Sequence, residues 1–313
     1  GGLAAVVTRA MGYIGRFAPS PTGPLHFGSL VAAVASWLDA RSVGGRWHLR
    51  IEDVDAPRTA PGAEDDILRT LEALGLAWDG PVVRQRERKA RYEEALETLR
   101  GRGLTYRCRC SRREIADSGV HGIDGVVYPG TCRHAAVAST TPAAERFIVP
   151  DETVVLDDRV QGRVAQRLAT DIGDFVVHRR DGLFAYQLAV VVDDGDLGVT
   201  DVVRGADLLD STPRQVALQR ALGLRTPRYL HVPVATRGGE KLSKQTLAPA
   251  VVASSGTAAL LSALDFLGQA APETDRPAAV LAQAATRWDP ARIPRGRTRE
   301  ITDGHGTGYP LAV

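Results

Sequence analysis

The sequence predicts an α/β protein built on a parallel sheet, and three observations carry that prediction. Its 313 residues are 44% hydrophobic and 24% charged, a globular composition on a chain long enough to bury a sizeable core. RWHLRIED (46–53) places Trp47, Leu49 and Ile51 at every second position, as a strand does. AEDDILRTLEALG (63–75) instead spaces Ile67, Leu68, Leu71 and Leu74 by threes and fours, as an amphipathic helix does, with Gly75 as its C-terminal cap. Such segments follow one another as strand, helix, strand, helix, an order whose crossovers give parallel neighbours.

The elements run as follows. IGRFAPS (14–20) is the first strand, and GSLVAAVASWLDARSVGG (28–45) the first helix, with Leu30, Val31, Val34, Trp37 and Leu38 on one side. The strand and helix at 46–75 come next. The rhythm breaks between 85 and 165, where a charged helix (RYEEALETLRGRG), a cysteine segment and an Ala, Ser and Thr-rich loop (HAAVASTTPAAE) form an expected insertion. DFVVHRRDGLFAYQLAVVVDD (174–194) is predicted as two strands joined at Asp181-Gly182. Thr212 is the expected N-cap and Pro213 the first residue of the helix PRQVALQRALG, followed by a strand and a polar loop in PRYLHVPVATRGGEKLSKQ. ALLSALDFLG and AAVLAQAATRW supply one or two further helices, and from Asp289 the dominance of Pro, Arg and Gly predicts disorder. The expected organisation is a sheet domain from 12–84 and 166–250, an inserted subdomain at 85–165, a short helical part at 251–290 and a disordered tail at 291–313. Residues 1–10 precede Met11, the only methionine, and are set aside.

No run approaches the eighteen or so apolar residues that cross a bilayer, and GGLAAVV is too short for a secretory signal, so the cytoplasm and no membrane partner are expected. A net charge of +2 neither announces nor excludes a nucleic acid. RQRERKAR (84–91) and RCRCSRR (107–113) are locally basic and suit either a solvated face or an RNA contact. Three cysteines in such a chain argue against a disulfide framework, leaving a metal or buried thiols.

The chemistry starts at RFAPSPTGPLHFGSL (16–30). A strand end, a glycine-bearing turn and a helix N-terminus converge free N–H groups and the helix dipole on one spot, an anion site. Gly23 and Gly28 admit a phosphate close to the backbone, and His26 stands where it can donate to a phosphate oxygen. EKLSKQ (240–245) sets Lys241 and Lys244 around Ser243 in a polar loop, the pattern of a flap that clamps a triphosphate. Either stretch alone reads first as an ordinary loop; the pair is far more specific.

With FAPSPTGPLHFGSL, LRIEDVD, DVVRGADLLDSTPRQ and KLSKQ in that order, the sequence closely resembles class I aminoacyl-tRNA synthetases of the glutamyl type over most of residues 14–250. PLHFGSL stands where that family has its His-Ile-Gly-His signature and KLSKQ where it has Lys-Met-Ser-Lys-Ser. The resemblance implies a Rossmann-like catalytic domain in which an amino-acid carboxylate attacks the α-phosphate of ATP, carried with Mg2+, and the aminoacyl group then passes to RNA. Positioning and charge stabilisation suffice for that chemistry, with no protein nucleophile. It makes His26, Lys241 and Lys244 catalytic and adds Pro24, Gly28, Ser29 and Ser243 to the ATP site. Ser29 replaces the signature's last histidine and Gln245 its final serine, so Lys244 is expected to carry most of the flap's phosphate contact.

For glutamate, Arg16 at the end of the first strand and Arg204 after TDVV sit at the sheet edge where α/β ligands bind, with forked donors that match carboxylates. Glu52 ends the second strand and offers an anion to the ammonium group; Tyr186 offers a hydroxyl. The resemblance matches Arg16, Ala18, Ser20, Glu52, Tyr186 and Arg204 to the glutamate-binding positions.

Cys108, Cys110 and Cys132 provide three thiolates, and tetrahedral zinc wants four ligands. His121, Tyr128 or His134 can complete the set, and chemistry alone favours a histidine. The resemblance of C-x-C…Y-x-x-x-C to the zinc site of short glutamyl-type members implies Tyr128 and one structural zinc. SRRE (111–114) reads as a capping box that starts a helix just after the pair. Full-length family members continue into a large helical anticodon-binding region, which the stretch after Gln245 is too short to build. The resemblance is therefore to a short branch that transfers glutamate to the queuosine base at the wobble position of tRNA(Asp), meeting its anticodon stem-loop as a monomer. Two other readings stay open: a truncated enzyme charging a tRNA 3′ end, and an inactive zinc and RNA-binding module.

Overall fold

A computed structural model of the chain describes residues 12–242 and 256–301. Ser243, Lys244 and Gln245 lie outside the described residues.

Strand β1 (Ile14–Phe17) leads through a loop into helix α1 (Phe27–Arg41), and β2 (Arg46–Ile51) then pairs in parallel with β1, Ile14 opposite Arg46 and Phe17 opposite Leu49. Helix α2 (Ala63–Ala73) returns the chain to β3 (Val83–Arg84), parallel to β2. Gly75, at φ +78°, adopts the left-handed backbone that ends this helix. Helix α3 (Lys89–Gly101), β4 (Thr105–Cys108), α4 (Arg112–Ala116), the small pair β5 (His121–Gly122) and β6 (Gly125–Val126), and β7 (Ala144–Phe147) follow. The ribbon β8 (Thr153–Asp158) and β9 (Gly162–Arg167), the turn α5 (Leu168–Asp171) and β10 (Phe175–His178) complete the middle of the chain, β10 lying antiparallel to β7. Helix α6 (Tyr186–Leu197) precedes β11 (Asp201–Gly205), α7 (Thr212–Leu222) and β12 (Arg228–Val232), the last parallel to β11. A hydrogen bond from the Thr200 N–H to the Ile14 carbonyl (2.9 Å) ties β11 beside β1. The predicted parallel sheet is therefore present.

Both faces of that sheet are covered, as its side chains show. Val203 and Leu230 point into a core shared by α1, α2 and the last two helices, α8 (Gly256–Phe266) and α9 (Pro277–Arg287). Their neighbours Val202 and Tyr229 point into the opposite core, with Tyr92, Leu96 and Leu99 of α3 and the buried faces of α6 and α7. The segment expected as an insertion is thus not free-standing, because α3 completes the core on one side of the sheet.

Three expectations are corrected. The predicted second hairpin strand is helix α6: Leu188, Ala189, Val190, Val191 and Val192 are all buried, so no amphipathic period marks the helix, and its valines resemble a strand. Only one antiparallel bridge, His178 to Phe184, survives around Asp181-Gly182. Thr212 is the first residue of α7 rather than its cap. Its hydroxyl donates to the Leu208 carbonyl at 3.1 Å, since a 3-10 turn (Ala206–Ser211) runs straight into the helix. Finally, residues 291–301 of the expected disordered tail are ordered: β13 (Val234–Arg237) pairs with β14 (Glu240–Lys241) and, in parallel, with β15 (Thr298–Glu300). Ile293 and Ile301 anchor this segment in the first core.

Candidate active site

A cleft of about 480 Å³ opens at the C-terminal ends of β1, β2 and β11. It gathers Arg16, Ala18, Ser20, Pro24, His26, Gly28, Ser29, Glu52, Tyr186, Arg204 and Lys241 from five separated stretches of sequence. Every site residue expected from the sequence is in its wall except Ser243 and Lys244, which lie outside the described residues, and the cysteine group.

One half is built on the start of α1. His26 caps that helix: its Nδ1 accepts the Ser29 N–H at 3.3 Å, which places the proton of a neutral ring on Nε2, 2.9 Å from the Ser29 hydroxyl. Gly28 permits the fold-back, because a Cβ there would stand 3.2 Å from the imidazole. Burial first, then the Lys241 charge, holds the His26 pKa below the usual histidine range. Lys241 is ion-paired with Asp207, a partner the sequence did not suggest. Both groups thus rest on protein partners at the mouth of a helix N-terminus.

The other half holds two buried guanidinium groups. Arg16 donates to both oxygens of Asp194 (3.0 and 3.2 Å), which also accepts from Arg50 at 2.6 Å. Those two cations overcome burial and hold the Asp194 carboxyl down at about 2. Arg50 also reaches Glu52 at 3.3 Å; burial nonetheless dominates there and raises the Glu52 pKa. Burial likewise raises that of Tyr186. Arg204 donates through Nε to His231 Nε2 (3.1 Å) and through Nη2 to the Thr212 hydroxyl (2.9 Å), and its guanidinium lies 5.6 Å from the Tyr229 ring centre. Its Nη1 is buried with no partner among the described residues. An orphaned buried donor on a charged group is costly, and a ligand is one of the few things that explains it.

Residues 14–259 match the family model of the class I tRNA synthetase (E and Q) catalytic domain. The chain belongs to this family. Two similar proteins are the glutamyl-Q tRNA(Asp) synthetases of Dechloromonas aromatica (strain RCB), 57% identical over 90% of this chain and 96% of the relative, and of Ectopseudomonas mendocina (strain ymp), 55% identical over 91% and 96%. Among solved structures, the glutamate-tRNA synthetase of Elizabethkingia anophelis superposes with a TM-score of 0.78 at 24% identity, covering 94% of this chain and 69% of that one. A glutamate tRNA ligase from Elizabethkingia meningosepticum, crystallised in complex with its amino acid, gives 0.77 at 24% identity, covering 94% and 68%. These two likenesses establish the class I synthetase catalytic fold.

In this family member the three cysteines form a second centre, at the end of β4 and beyond. The Sγ atoms of Cys108, Cys110 and Cys132 lie within 4.8 Å of one another, Cys110 and Cys132 at 3.6 Å. The Tyr128 hydroxyl is 3.3 Å from Cys108 Sγ and 3.8 Å from Cys110 Sγ, and it accepts the Cys132 N–H at 2.9 Å. Tetrahedral Zn–S bonds of about 2.3 Å would set sulfurs roughly 3.8 Å apart, so this donor set has the size of a zinc site. No histidine joins the group among the described residues; His121 and His134 are exposed. Chemistry alone favoured a histidine as fourth donor, and the phenol is what the fold brings in. Ser111 and Glu114 form the expected capping box beside it.

Asp194, Arg50, Asp158, His231 and Asp207 were not anticipated from the sequence. Only the acidic pair Asp193-Asp194 ending an apolar run carried a signal, a charge that must be neutralised if the run is buried.

Proposed function

We propose that this class I synthetase activates L-glutamate with ATP and transfers the glutamyl group to the queuosine base in the anticodon loop of tRNA(Asp). In the first step a glutamate carboxylate oxygen bonds to the α-phosphorus of ATP as the bond to the departing pyrophosphate breaks. In the second, a nucleophile of the acceptor base takes the glutamyl carbonyl and AMP leaves. The observation that carries the first step is Arg204, a buried cation with an unpartnered Nη1 in the wall of a cleft that also holds the N-terminus of α1. Arg204 and Arg16 supply the cations for carboxylates, and Glu52 the anion for the ammonium group. Ala18 and Ser20 line the same pocket, and Tyr186 adds a hydroxyl. The α1 N-terminus at Pro24, His26, Gly28 and Ser29 receives phosphate, Lys241 stands in the same cleft, Ser243 and Lys244 of the same motif are assigned to the ATP as well, and Mg2+ accompanies the ATP.

A second cleft of about 460 Å³ adjoins the first and shares Ser20, Thr22, Glu52 and Tyr186 with it, with Arg58 and Arg179 in its wall, which suits an acceptor nucleoside. The acceptor assignment is supported by the relatives named glutamyl-Q tRNA(Asp) synthetase, whose length this chain matches nearly end to end. Cys108, Cys110, Tyr128 and Cys132 would hold one structural zinc, a full set of four donors that leaves no position for chemistry. The reading includes a cytoplasmic enzyme that acts as a monomer; among the described residues no helix is long and apolar enough to cross a membrane.

The test is glutamate-dependent exchange of pyrophosphate into ATP without RNA, followed by transfer of labelled glutamate to queuosine-containing tRNA(Asp). Exchange and label on the queuosine base are expected. No exchange with or without tRNA would overturn the activation step. Label on the 3′ end of tRNA(Glu) instead would overturn the acceptor.

A further inference from the structure

The two buried guanidinium groups of the pocket are held in opposite ways. Arg16 meets the carboxylate of Asp194, which neutralises it. Among the described residues Arg204 meets only neutral groups: the His231 imidazole, the Thr212 hydroxyl and the face of Tyr229. The neutrality of His231 is itself arranged. Its Nδ1 lies 2.6 Å from Asp158 Oδ2, so the ring proton sits on Nδ1 and the Nε2 lone pair faces the Arg204 Nε–H. The parallel register of β11 and β12 sets Arg204 opposite His231. Asp158 is fixed in turn: its Oδ1 accepts the backbone N–H groups of Val160, Gln161 and His231 at 2.9 to 3.1 Å. The side chains of both Asp158 and His231 are wholly buried. Burial, reinforced by the charges of Arg204 and Arg16, holds the His231 pKa down to about 4, so the ring is neutral at physiological pH.

We infer that Asp158 and His231 are positioning residues that keep the charge of Arg204 uncompensated and reserve its Nη1 for a substrate carboxylate, so that the pocket takes glutamate in preference to glutamine. The inference rests on the glutamate reading of the site. With the present tautomer, acceptor meets donor and the guanidinium plane is locked. With the proton on Nε2, donor meets donor, and Arg204 must turn about its stem. With a carboxylate in place of the imidazole, as at Arg16, the cation is spent before substrate arrives and a neutral carboxamide competes on more equal terms. Asp158 closes the β8–β9 ribbon, within the segment that interrupts the strand and helix rhythm, so that segment also shapes the amino-acid pocket.

The test compares wild type with D158N, H231Q and H231A by pyrophosphate exchange against glutamate, glutamine and ATP, and by calorimetric binding of glutamate without ATP. An amide at residue 158 turns a donor toward Nδ1 and drives the His231 proton to Nε2. D158N is therefore expected to raise KM for glutamate about tenfold and narrow its preference over glutamine, with KM for ATP unchanged and kcat within about threefold. H231Q, whose amide oxygen can take the place of Nε2, is expected to keep most of the affinity that H231A loses. Circular dichroism and the urea midpoint identify a variant that has failed to fold, and the H231Q and H231A pair decides the matter if D158N does. Equal glutamate KM in wild type and H231A overturns the inference, as does a D158N defect shared equally by glutamate and ATP. If wild type binds no glutamate, the glutamate reading falls and this inference with it.

Discussion

Truncating Arg204 to alanine removes a pocket cation whose buried Nη1 has no partner among the described residues, and its burial sets how large the effect is. Arg204 is 5% exposed, so a carboxylate brought against it leaves water behind. Removing one partner of a buried charge pair costs about 3–5 kcal/mol, because the surviving charge keeps its desolvation penalty. At roughly 1.4 kcal/mol per tenfold, kcat/KM for glutamate in pyrophosphate exchange falls by about two to three and a half orders of magnitude. The fold is expected to survive. Alanine deprives His231 Nε2 and Thr212 Oγ1 of one donor each, about 1–3 kcal/mol apiece at most, while removing a buried cation that has no counter-ion of its own among the described residues. The assay is exchange at varied glutamate and saturating ATP, beside circular dichroism of the same preparation. A folded variant that loses less than about tenfold would refute the assignment of a substrate carboxylate to Arg204.

Asp194→Asn leaves Arg16 and Arg50 without their shared carboxylate and is expected to cost about 3–5 kcal/mol in urea unfolding. Because the folded-state pKa of Asp194 lies near 2, below that of an unfolded aspartate, its contribution is complete above about pH 4 and is lost as pH falls through about 2. A wild-type advantage over the variant that is the same at pH 7 and pH 2 would contradict that origin. Protein purified without chelators is expected to carry about one zinc per chain, lost in Cys132→Ser; less than a tenth of an equivalent in wild type would count against the site. Ile293→Ala is expected to destabilise by about 2–4 kcal/mol in spite of its Pro and Arg-rich surroundings, and an unchanged unfolding midpoint would show that the last segment is not docked in the core.

The fold was legible wherever a segment buries one face and exposes the other. Helix α2 and strand β2 were read to within a residue or two, since their apolar period and their glycine ends agree. Helix α6 was not, because it is buried nearly all round, and a run of valines with no polar stripe looks the same to a periodicity argument whether it coils or extends. The last strand was missed for a different reason. β15 is three residues long, TRE, and is held by pairing with β13 and by Glu300, which accepts from the Thr236 hydroxyl at 2.7 Å, rather than by an apolar pattern of its own.

The same division runs through the site. The groups that face the cleft stand in short motifs, and the sequence places them because phosphate and carboxylate chemistry dictates both residue type and neighbours. The groups behind them do not. Asp194 stands 178 positions from Arg16, and Asp158 lies 73 from His231; neither pairing leaves a local mark. Yet these distant partners set what the motif residues can do. Two arginines of identical intrinsic chemistry become unlike inside one pocket, one neutralised by a carboxylate and one held by a neutral ring. Only the second keeps its full charge for a ligand, so selectivity for an acidic amino acid depends less on the presence of arginine in the motif than on which buried group stands behind it.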